Sequence, residues 1–223
     1  NELFQGYDFK FYTKASEVII NDQTFLFVPW INDENKDETL ELIRNTKAQV
    51  VFGHLELSGF EMNKGQIVDH GMDKSIFDKF DMVMSGHFHH KSSRGNIHYL
   101  GAPFEMTWAD YDDPRGFHIL DTETRELTFI ENPYKMFDKL WYDDATPGKE
   151  PEGIDLSPSK GKIVKVIVTN KTNPYKFDKF IENLEKHNPI EIQIVEDHLN
   201  LNLDSDNDIV NEAESTMSIF KNY

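Results

Sequence analysis

The chain has 223 residues, of which 38% are hydrophobic and 13% aromatic, so it can bury the core of one large domain, or of a domain with a smaller companion. It has no cysteine, which excludes a disulfide framework and a thiolate metal site, and no apolar run approaches the roughly 20 residues of a membrane span. Its net charge of −17 disfavours charge-driven binding of nucleic acid, because an acidic surface repels phosphate.

Short apolar runs at the beginning of the chain predict β-strands. They are Phe9–Thr13, Glu17–Ile20 and Thr24–Val28, and the last two are joined by an Asn-Asp turn. Pro29 and Trp30 follow the third strand. We expect Trp30 to cap the hydrophobic core; the alternative is that it lies beside a functional site.

Helices and strands then alternate along the chain. Asp33–Arg44 has an apolar side and acidic residues in its first turns, as expected of an amphipathic helix. A strand at Gln49–Phe52, a second helix at Asp73–Lys79 and a strand at Met82–Met84 follow. This order predicts an α/β layer arrangement.

Glycine and histidine follow each of the last two strands. Gly53-His54 ends the first, and Ser85-Gly86 leads into His87, His89 and His90. Because ligands of parallel sheets bind beyond the carboxyl ends of the strands, we expect both loops to form one site. Imidazoles suit manganese, zinc or iron, held either as one ion in a curled loop or as two ions about 3.5–4 Å apart. The alternative is that both loops are strand-terminal turns with incidental histidines.

Loops and short strands are predicted around this site. Leu57–Met72 is a long connection between the two histidine loops, and His70 within it is expected to be a surface histidine. Three runs after the site predict antiparallel strands, at Ile97–Leu100, Gly116–Leu120 and Glu126–Ile130.

The composition changes after residue 145. Residues 146–161 are rich in proline, glycine, serine and charge, which predicts a linker. Residues 162–203 have the pattern of a strand, a helix and a strand, and residues 204–223 form a polar, acidic tail. The helix has an apolar face made of Phe177, Phe180, Ile181 and Leu184.

Several of these motifs resemble those of calcineurin-like metallophosphoesterases. Gly86-His87-Phe88-His89 is similar to their Gly-His-x-His motif, and Gly53-His54 to their preceding single-histidine motif. The tracts His98–Phe104 and Asp113–Phe117 resemble those of SbcD-type double-strand-break repair nucleases. The tract Gly53–Phe60, Gly-His-x-Glu-Leu-x-Gly-Phe, is similar to one in the nuclease subunits of T-even-like bacteriophage recombination exonucleases.

The resemblance implies a fold and an activity. Residues 1–145 would be the C-terminal portion of a metallophosphoesterase αββα sandwich. Residues 162–203 would be a small α+β capping domain, which in the family helps to select DNA substrates. Helices near the position of residues 204–223 hold an ABC-type ATPase in the family. The implied function is that of the nuclease subunit of an SbcCD-like recombination and repair exonuclease, acting on DNA ends and single strands.

The resemblance also implies cofactors and partners. Two divalent metal ions, manganese above all, would be bound by histidines: His54 and His87 would hold one ion and His89 the other. His90 matches no ligand of the family, and we expect it, with Trp30 as an alternative to its capping role, to lie around the ligands and not among them. DNA and an SbcC-like ABC-type ATPase are the expected partners, together with a second copy of the chain in a homodimer. The location would be the cytoplasm of a bacterium or of a phage-infected host.

Three motifs of the family are absent from the 223 residues, namely Asp-x-His, Gly-Asp and Gly-Asn-His. The family places them upstream of the region that matches residue 1, so we expect this chain alone to be inactive. Two alternatives stay open. One is a calcineurin-like phosphatase or phosphodiesterase that acts on a small phosphoester, and the other is a non-catalytic module that docks the ATPase.

Overall fold

A computed structural model describes Gly6 and residues 10–196. The described part is a mixed α/β structure in which strands predominate and only two α-helices occur. The chain divides into two compact units. The first contains the residues up to Pro103 together with Pro114–Glu131, and the second contains Phe104–Asp113 and continues from Asn132.

The helices are α1 (Lys36–Asn45) and α2 (Pro174–Glu185). In chain order the strands are β1 (Ser16–Ile20), β2 (Gln23–Val28), β3 (Val50–Gly53), β4 (Glu61–Asn63), β5 (Gln66–Ile67), β6 (Met82–Ser85), β7 (Ser92–Arg94), β8 (Ile97–Tyr99), β9 (Gly116–Leu120), β10 (Leu127–Glu131), β11 (Phe137–Asp143), β12 (Ile163–Asn170) and β13 (Glu191–Glu196).

Six strands form the main sheet of the first unit, in the order β1-β2-β3-β6-β8-β7. The four central strands are parallel, and β1 and β7 are antiparallel to their neighbours. Both faces of the central strands are apolar, which is typical of a parallel sheet covered on both sides. Leu26, Val51 and Val83 belong to one buried cluster, whereas Val50 and Met84 belong to another.

Two predicted elements of this unit were wrong. The helix predicted at Asp73–Lys79 is a single 3-10 turn, Lys74–Phe77, because a helix this short forms too few hydrogen bonds to offset the cost of nucleation. No strand occurs at residues 10–13, and Phe9 lies outside the described residues. Tyr12 instead stacks on Phe27, with 5.3 Å between the ring centroids, so this segment packs through side chains.

The three strands predicted after the site are present; the last two pair antiparallel as predicted, whereas the first has a parallel and an antiparallel neighbour. β8 is parallel to β6 and antiparallel to β7, a strand that the sequence pattern did not indicate. β9 and β10 form a separate antiparallel pair, in which Phe117 lies opposite Ile130. Within the long connection between the histidine loops, β4 and β5 form a small hairpin.

The second unit is built on a parallel three-stranded sheet, β11-β12-β13. The predicted strand, helix and strand correspond to β12, α2 and β13, whereas β11 was not predicted. On α2, Phe177, Phe180 and Leu184 are buried and Ile181 is partly buried. Two 3-10 turns, Pro151–Gly153 and Ser157–Ser159, lie within the predicted linker.

The segment Phe104–Asp113 belongs to this second unit. Trp108 packs on Phe137, with 4.6 Å between the ring centroids, and its indole N–H donates to Gln193 Oε1 at 3.1 Å. The buried carboxylate of Glu105 accepts hydrogen bonds from the N–H groups of Met136 and Phe137. The domain bounds at residues 145, 161 and 203 remain predictions, and residues 197–203 and the acidic tail 204–223 lie outside the described residues.

Among residues 10–196, no helix is both long and apolar enough to cross a membrane.

Truncating Leu184 tests the core of the second unit. Leu184 has no exposed surface, so Leu184→Ala should lower the free energy of unfolding by about 2–5 kcal/mol through lost burial and the cavity it leaves. Ile190, which is 70% exposed, offers a matched control, and Ile190→Ala should change the stability by less than about 0.5 kcal/mol. Urea denaturation of both variants measures the difference. Equal losses would contradict this description of the core.

Candidate metal centre

The two histidine loops leave the main sheet at the same level. Val28, Gly53 and Ser85 are paired across β2, β3 and β6, so the carboxyl ends of these strands coincide. The ladder continues one step further, because the His54 N–H donates to the Val28 carbonyl at 3.2 Å and the Gly86 N–H to the Gly53 carbonyl at 3.0 Å. The start of both loops is therefore fixed by backbone hydrogen bonds.

Two buried hydroxyl groups join the first histidine loop to the strands beside it. Ser85 Oγ accepts a hydrogen bond from the Leu55 N–H at 2.9 Å. The Tyr99 hydroxyl donates to the Leu55 carbonyl at 2.9 Å and accepts from the Leu57 N–H at 3.0 Å. Ser85 and Tyr99 are both buried, so these bonds are shielded from water and hold the residues on either side of Glu56.

His54 and His87 come together, as the glycine–histidine pattern predicts. Their ring centroids are 5.2 Å apart and the rings meet edge to face. Gly86 permits this approach, because a Cβ at that position would lie 3.1 Å from His54 Nδ1. His87 itself has a positive φ of 83°, which curls the loop immediately after the strand.

His89 is fixed through its backbone. Its carbonyl accepts hydrogen bonds from the Ala102 N–H at 3.0 Å and from the guanidinium of Arg115, a side chain that is 2% exposed. Its imidazole is close enough to His87 that positive charge on it lowers the pKa of His87. The Asp-Pro-Arg-Gly-Phe tract thus holds the Gly-His-x-His loop through the hydrogen bond from Arg115 to the His89 carbonyl.

The environment of His87 favours its neutral form. Burial lowers the pKa of this imidazole first, and positive charge on His54 lowers it further, while the negative charge of Glu56 opposes both. A neutral imidazole has a free lone pair, which is the form that binds divalent metal ions.

Glu56 is a site residue that the sequence analysis missed. Its carboxylate oxygens lie 3.2 Å from His70 Nε2 and 3.7 Å from His87 Nε2. His70 is exposed, as predicted, with 70% of its side chain accessible, but it contacts this carboxylate. The spacing held the signal, since His54 and Glu56 are two apart and side chains at that spacing project to one side of an extended segment.

Trp30 and His90 are the remaining residues that the sequence analysis singled out. Trp30 was expected to cap the core, but it is 44% exposed, and its indole packs on both histidines, with centroid distances of 4.8 Å to His87 and 5.7 Å to His54. It lines a cavity of about 340 Å³ that His54 and Glu56 also line. His90 Nε2 lies 3.6 Å from Glu61 Oε2, at the edge of the β4–β5 hairpin.

These residues fit a metal ion in kind but not in number. Imidazole nitrogen and carboxylate oxygen are the donors that manganese and related ions use. Within the described part of the chain, however, no group of three or more histidine, cysteine, aspartate or glutamate side chains is arranged to hold a metal ion. The described residues therefore do not complete a metal centre by themselves.

The sequence is similar to those of known nuclease subunits. The chain is 36% identical over 186 residues to exonuclease subunit 1 of Enterobacteria phage T4, an alignment that covers 83% of this chain and 52% of that protein. It is also similar to the SbcD component of the SbcCD nuclease of Staphylococcus saprophyticus, at 26% identity over 121 residues, which are 49% of this chain and 32% of that protein. The chain is a relative of the SbcD-type nucleases.

A second SbcD-type relative supports the same assignment. The chain is 30% identical over 98 residues to the SbcD component of the SbcCD nuclease of Staphylococcus epidermidis, covering 40% of this chain and 26% of that protein. No protein-family profile matches the chain. The chain spans about half the length of the phage protein and a third or less of each staphylococcal protein.

Removing the Tyr99 hydroxyl tests the connection between β8 and the first histidine loop. Tyr99→Phe leaves the Leu57 N–H without its buried partner, which should lower the free energy of unfolding by about 1–3 kcal/mol. Tyr134, which is 82% exposed, provides the control, and Tyr134→Phe should change stability by less than about 0.5 kcal/mol. Urea denaturation at neutral pH measures both. A neutral Tyr99→Phe would mean that the hydroxyl does not hold the loop.

The same hydroxyl should make stability depend on pH in the alkaline range. Burial raises the pKa of Tyr99 to about 12, whereas in the unfolded chain it stays near its ordinary value of about 10. Between these values the unfolded chain binds fewer protons than the native one, so stability falls as the pH rises. Urea denaturation from about pH 9 to 12 should therefore show a shallower decline for Tyr99→Phe than for the wild type. Equal slopes would contradict the raised pKa.

Proposed function

We propose that this chain is part of the nuclease subunit of an SbcCD-like recombination and repair exonuclease, and that the whole protein hydrolyses phosphodiester bonds at DNA ends and in single strands. The observation that carries the proposal is the 36% identity to a phage exonuclease subunit over 83% of the chain. The convergence of His54 and His87 at the carboxyl ends of β3 and β6 supports it, because hydrolysis of a phosphodiester by metal ions needs donor groups gathered in one site.

The proposed fold follows the same relationship. The first 145 residues correspond to the C-terminal portion of a metallophosphoesterase sandwich, and residues 162–203 to a small capping domain. The six-stranded sheet and the compact second unit are compatible with this assignment.

The proposed cofactors are two divalent ions, manganese above all. His54 and His87 would be ligands of one ion and His89 of the other. Support comes from the contact between the rings of His54 and His87 and from the burial that lowers the pKa of His87. Because the described residues do not complete a metal centre, the other ligands would come from elsewhere in the whole protein, and this chain alone would be inactive.

The proposed partners are DNA and an SbcC-like ABC-type ATPase, in an assembly with two copies of the nuclease subunit, in the cytoplasm of a bacterium or an infected host. The net charge of −17 supports a division of labour in which DNA is held mainly by the ATPase, because an acidic surface weakens phosphate binding.

A second candidate is a non-catalytic module that docks the ATPase. The specific observation in its favour is that no complete metal-binding group occurs in the described part of the chain. The two candidates differ in what the histidines do. As metal ligands they determine cleavage, whereas in a docking module they could be replaced without loss of function.

The test is manganese-dependent release of labelled nucleotides from duplex DNA ends. In the whole protein, His89→Ala should lower the rate by at least the 10–100-fold that loss of even a supporting contact costs at a metal site. His187, just after α2 and outside the site, gives the matched control, and His187→Ala should cleave at the wild-type rate. The 223-residue chain alone should release no nucleotide above background.

Three results would redirect the proposal. Full activity in His89→Ala would show that His89 is not a ligand of the metal ions. Activity on small phosphomonoesters without cleavage of DNA would favour the phosphatase. Loss of both activities with retained binding to the ATPase would favour the docking module.

A further inference from the structure

Trp30 occupies an unusual position for a large aromatic side chain. It follows β2 at the edge of the sheet where the histidine loops emerge, and its indole contacts the imidazoles of both His54 and His87. Isolated exposed aromatic residues are common on protein surfaces. Here, however, Trp30 is 44% exposed and lines a cavity together with His54 and Glu56, so a ligand that entered this cavity would contact it.

The backbone that carries the indole is held in place before any ligand binds. The Asn35 side-chain N–H donates to the Trp30 carbonyl at 2.9 Å, and its side-chain carbonyl accepts from the Asn32 N–H at 2.9 Å. The Asn35 N–H in turn donates to the Asn32 carbonyl at 3.2 Å. This local network reduces the entropy that ordering the loop would otherwise cost on binding.

The size and lining of the cavity suit a flat, aromatic group. Its volume of about 340 Å³ lies at the lower end of the range for small-molecule sites. The apolar part of its wall is formed by Trp30, Ile31, Leu55 and Met72. Asn32 also lines the cavity; its side-chain carbonyl accepts from the backbone N–H groups of Glu34 and Asn35, so its NH2 group is the part that can donate to polar atoms on the edge of a ring.

The charge of the lining distinguishes between the parts of a nucleotide. Asp33 and Glu56 contribute two carboxylates, and Lys36 contributes one ammonium group. A lining with an excess of negative charge repels a phosphate but not a neutral base. The base would therefore enter the cavity, while the phosphate would lie toward the side of the cavity that His54 lines, where the histidine loops leave the sheet.

We propose that this cavity is a nucleobase site, in which the indole of Trp30 stacks on the base next to the phosphate that is cleaved. The inference rests on the proposed function for the identity of that phosphate. Stacking on an indole is tolerant of sequence, because every base has an aromatic face. Trp30 would thereby hold a strand end in register with the histidines without selecting a particular base.

The test measures the binding of two ligands in the absence of metal, by NMR of the ligand. One is deoxyadenosine monophosphate, which has a base, and the other is 2-deoxyribose 5-phosphate, which lacks one. Trp30→Leu should weaken binding of the nucleotide by about 5- to 150-fold, the equivalent of one lost base stack. Binding of the sugar phosphate should be unchanged. Trp30→Phe, which keeps an aromatic ring, should stay within a few-fold of the wild type.

Trp141 provides the matched control. It is 41% exposed and lines a separate cavity in the second unit, so Trp141→Leu removes an equally accessible indole elsewhere. This variant should bind the nucleotide as the wild type does. Should Trp30→Leu fail to fold, quenching of indole fluorescence by the nucleotide in the wild type, and its loss in Trp30→Phe, gives the same information.

Three outcomes would overturn the inference: unchanged nucleotide affinity in Trp30→Leu, an equal loss of affinity for the sugar phosphate, or no nucleotide binding by the wild type. None of these depends on cleavage. Trp30-dependent nucleotide binding, together with a whole protein that does not cleave DNA, would sustain the base site and reject the proposed function. Cleavage that is independent of Trp30 would do the reverse.

Discussion

The buried hydrogen bonds between two strand ends and the first histidine loop are the constraint on which the rest of the candidate site depends. Ser85 and Tyr99 together satisfy three backbone groups of Leu55 and Leu57. A loop held in this way cannot move away from β6 and β8 without leaving polar groups unpaired in the interior. His54 and Glu56 therefore keep their positions relative to His87 even though both belong to a surface loop.

This rigidity determines what the site can do. Two imidazoles at 5.2 Å would repel each other if both were protonated, and partial burial adds to that cost. Burial and the neighbouring His54 therefore lower the pKa of His87, and its neutral imidazole can accept a cation or a proton. The carboxylate of Glu56 lies beside the pair and compensates part of any positive charge that the rings acquire.

The sequence predicts the site better than its surroundings. Apolar runs that end in glycine and histidine indicate parallel strands with a shared carboxyl edge, and this is enough to bring His54 and His87 together. The exposure of Trp30 was not predictable, because an aromatic residue after a strand has the same local pattern whether it caps a core or faces solvent.

The strand at Phe137–Asp143 was missed because its partners, β12 and the Phe104–Asp113 segment, come from distant parts of the chain. Residue propensities alone could not show that the segment before β6 forms a 3-10 turn and not an α-helix. That outcome depends on the length of the segment and on the burial of Phe77.

The path of the chain between its two units has a consequence for how the protein comes apart. The backbone passes from one unit to the other three times, after Pro103, Asp113 and Glu131. A protease that cut only at Glu131 would give two pieces, yet the longer one would still contribute Glu105 and Trp108 to the fold of the other. The pieces would travel together through a gel-filtration column and separate only in denaturant. Dissecting this protein genetically at that point would likewise leave one half missing part of its own interior.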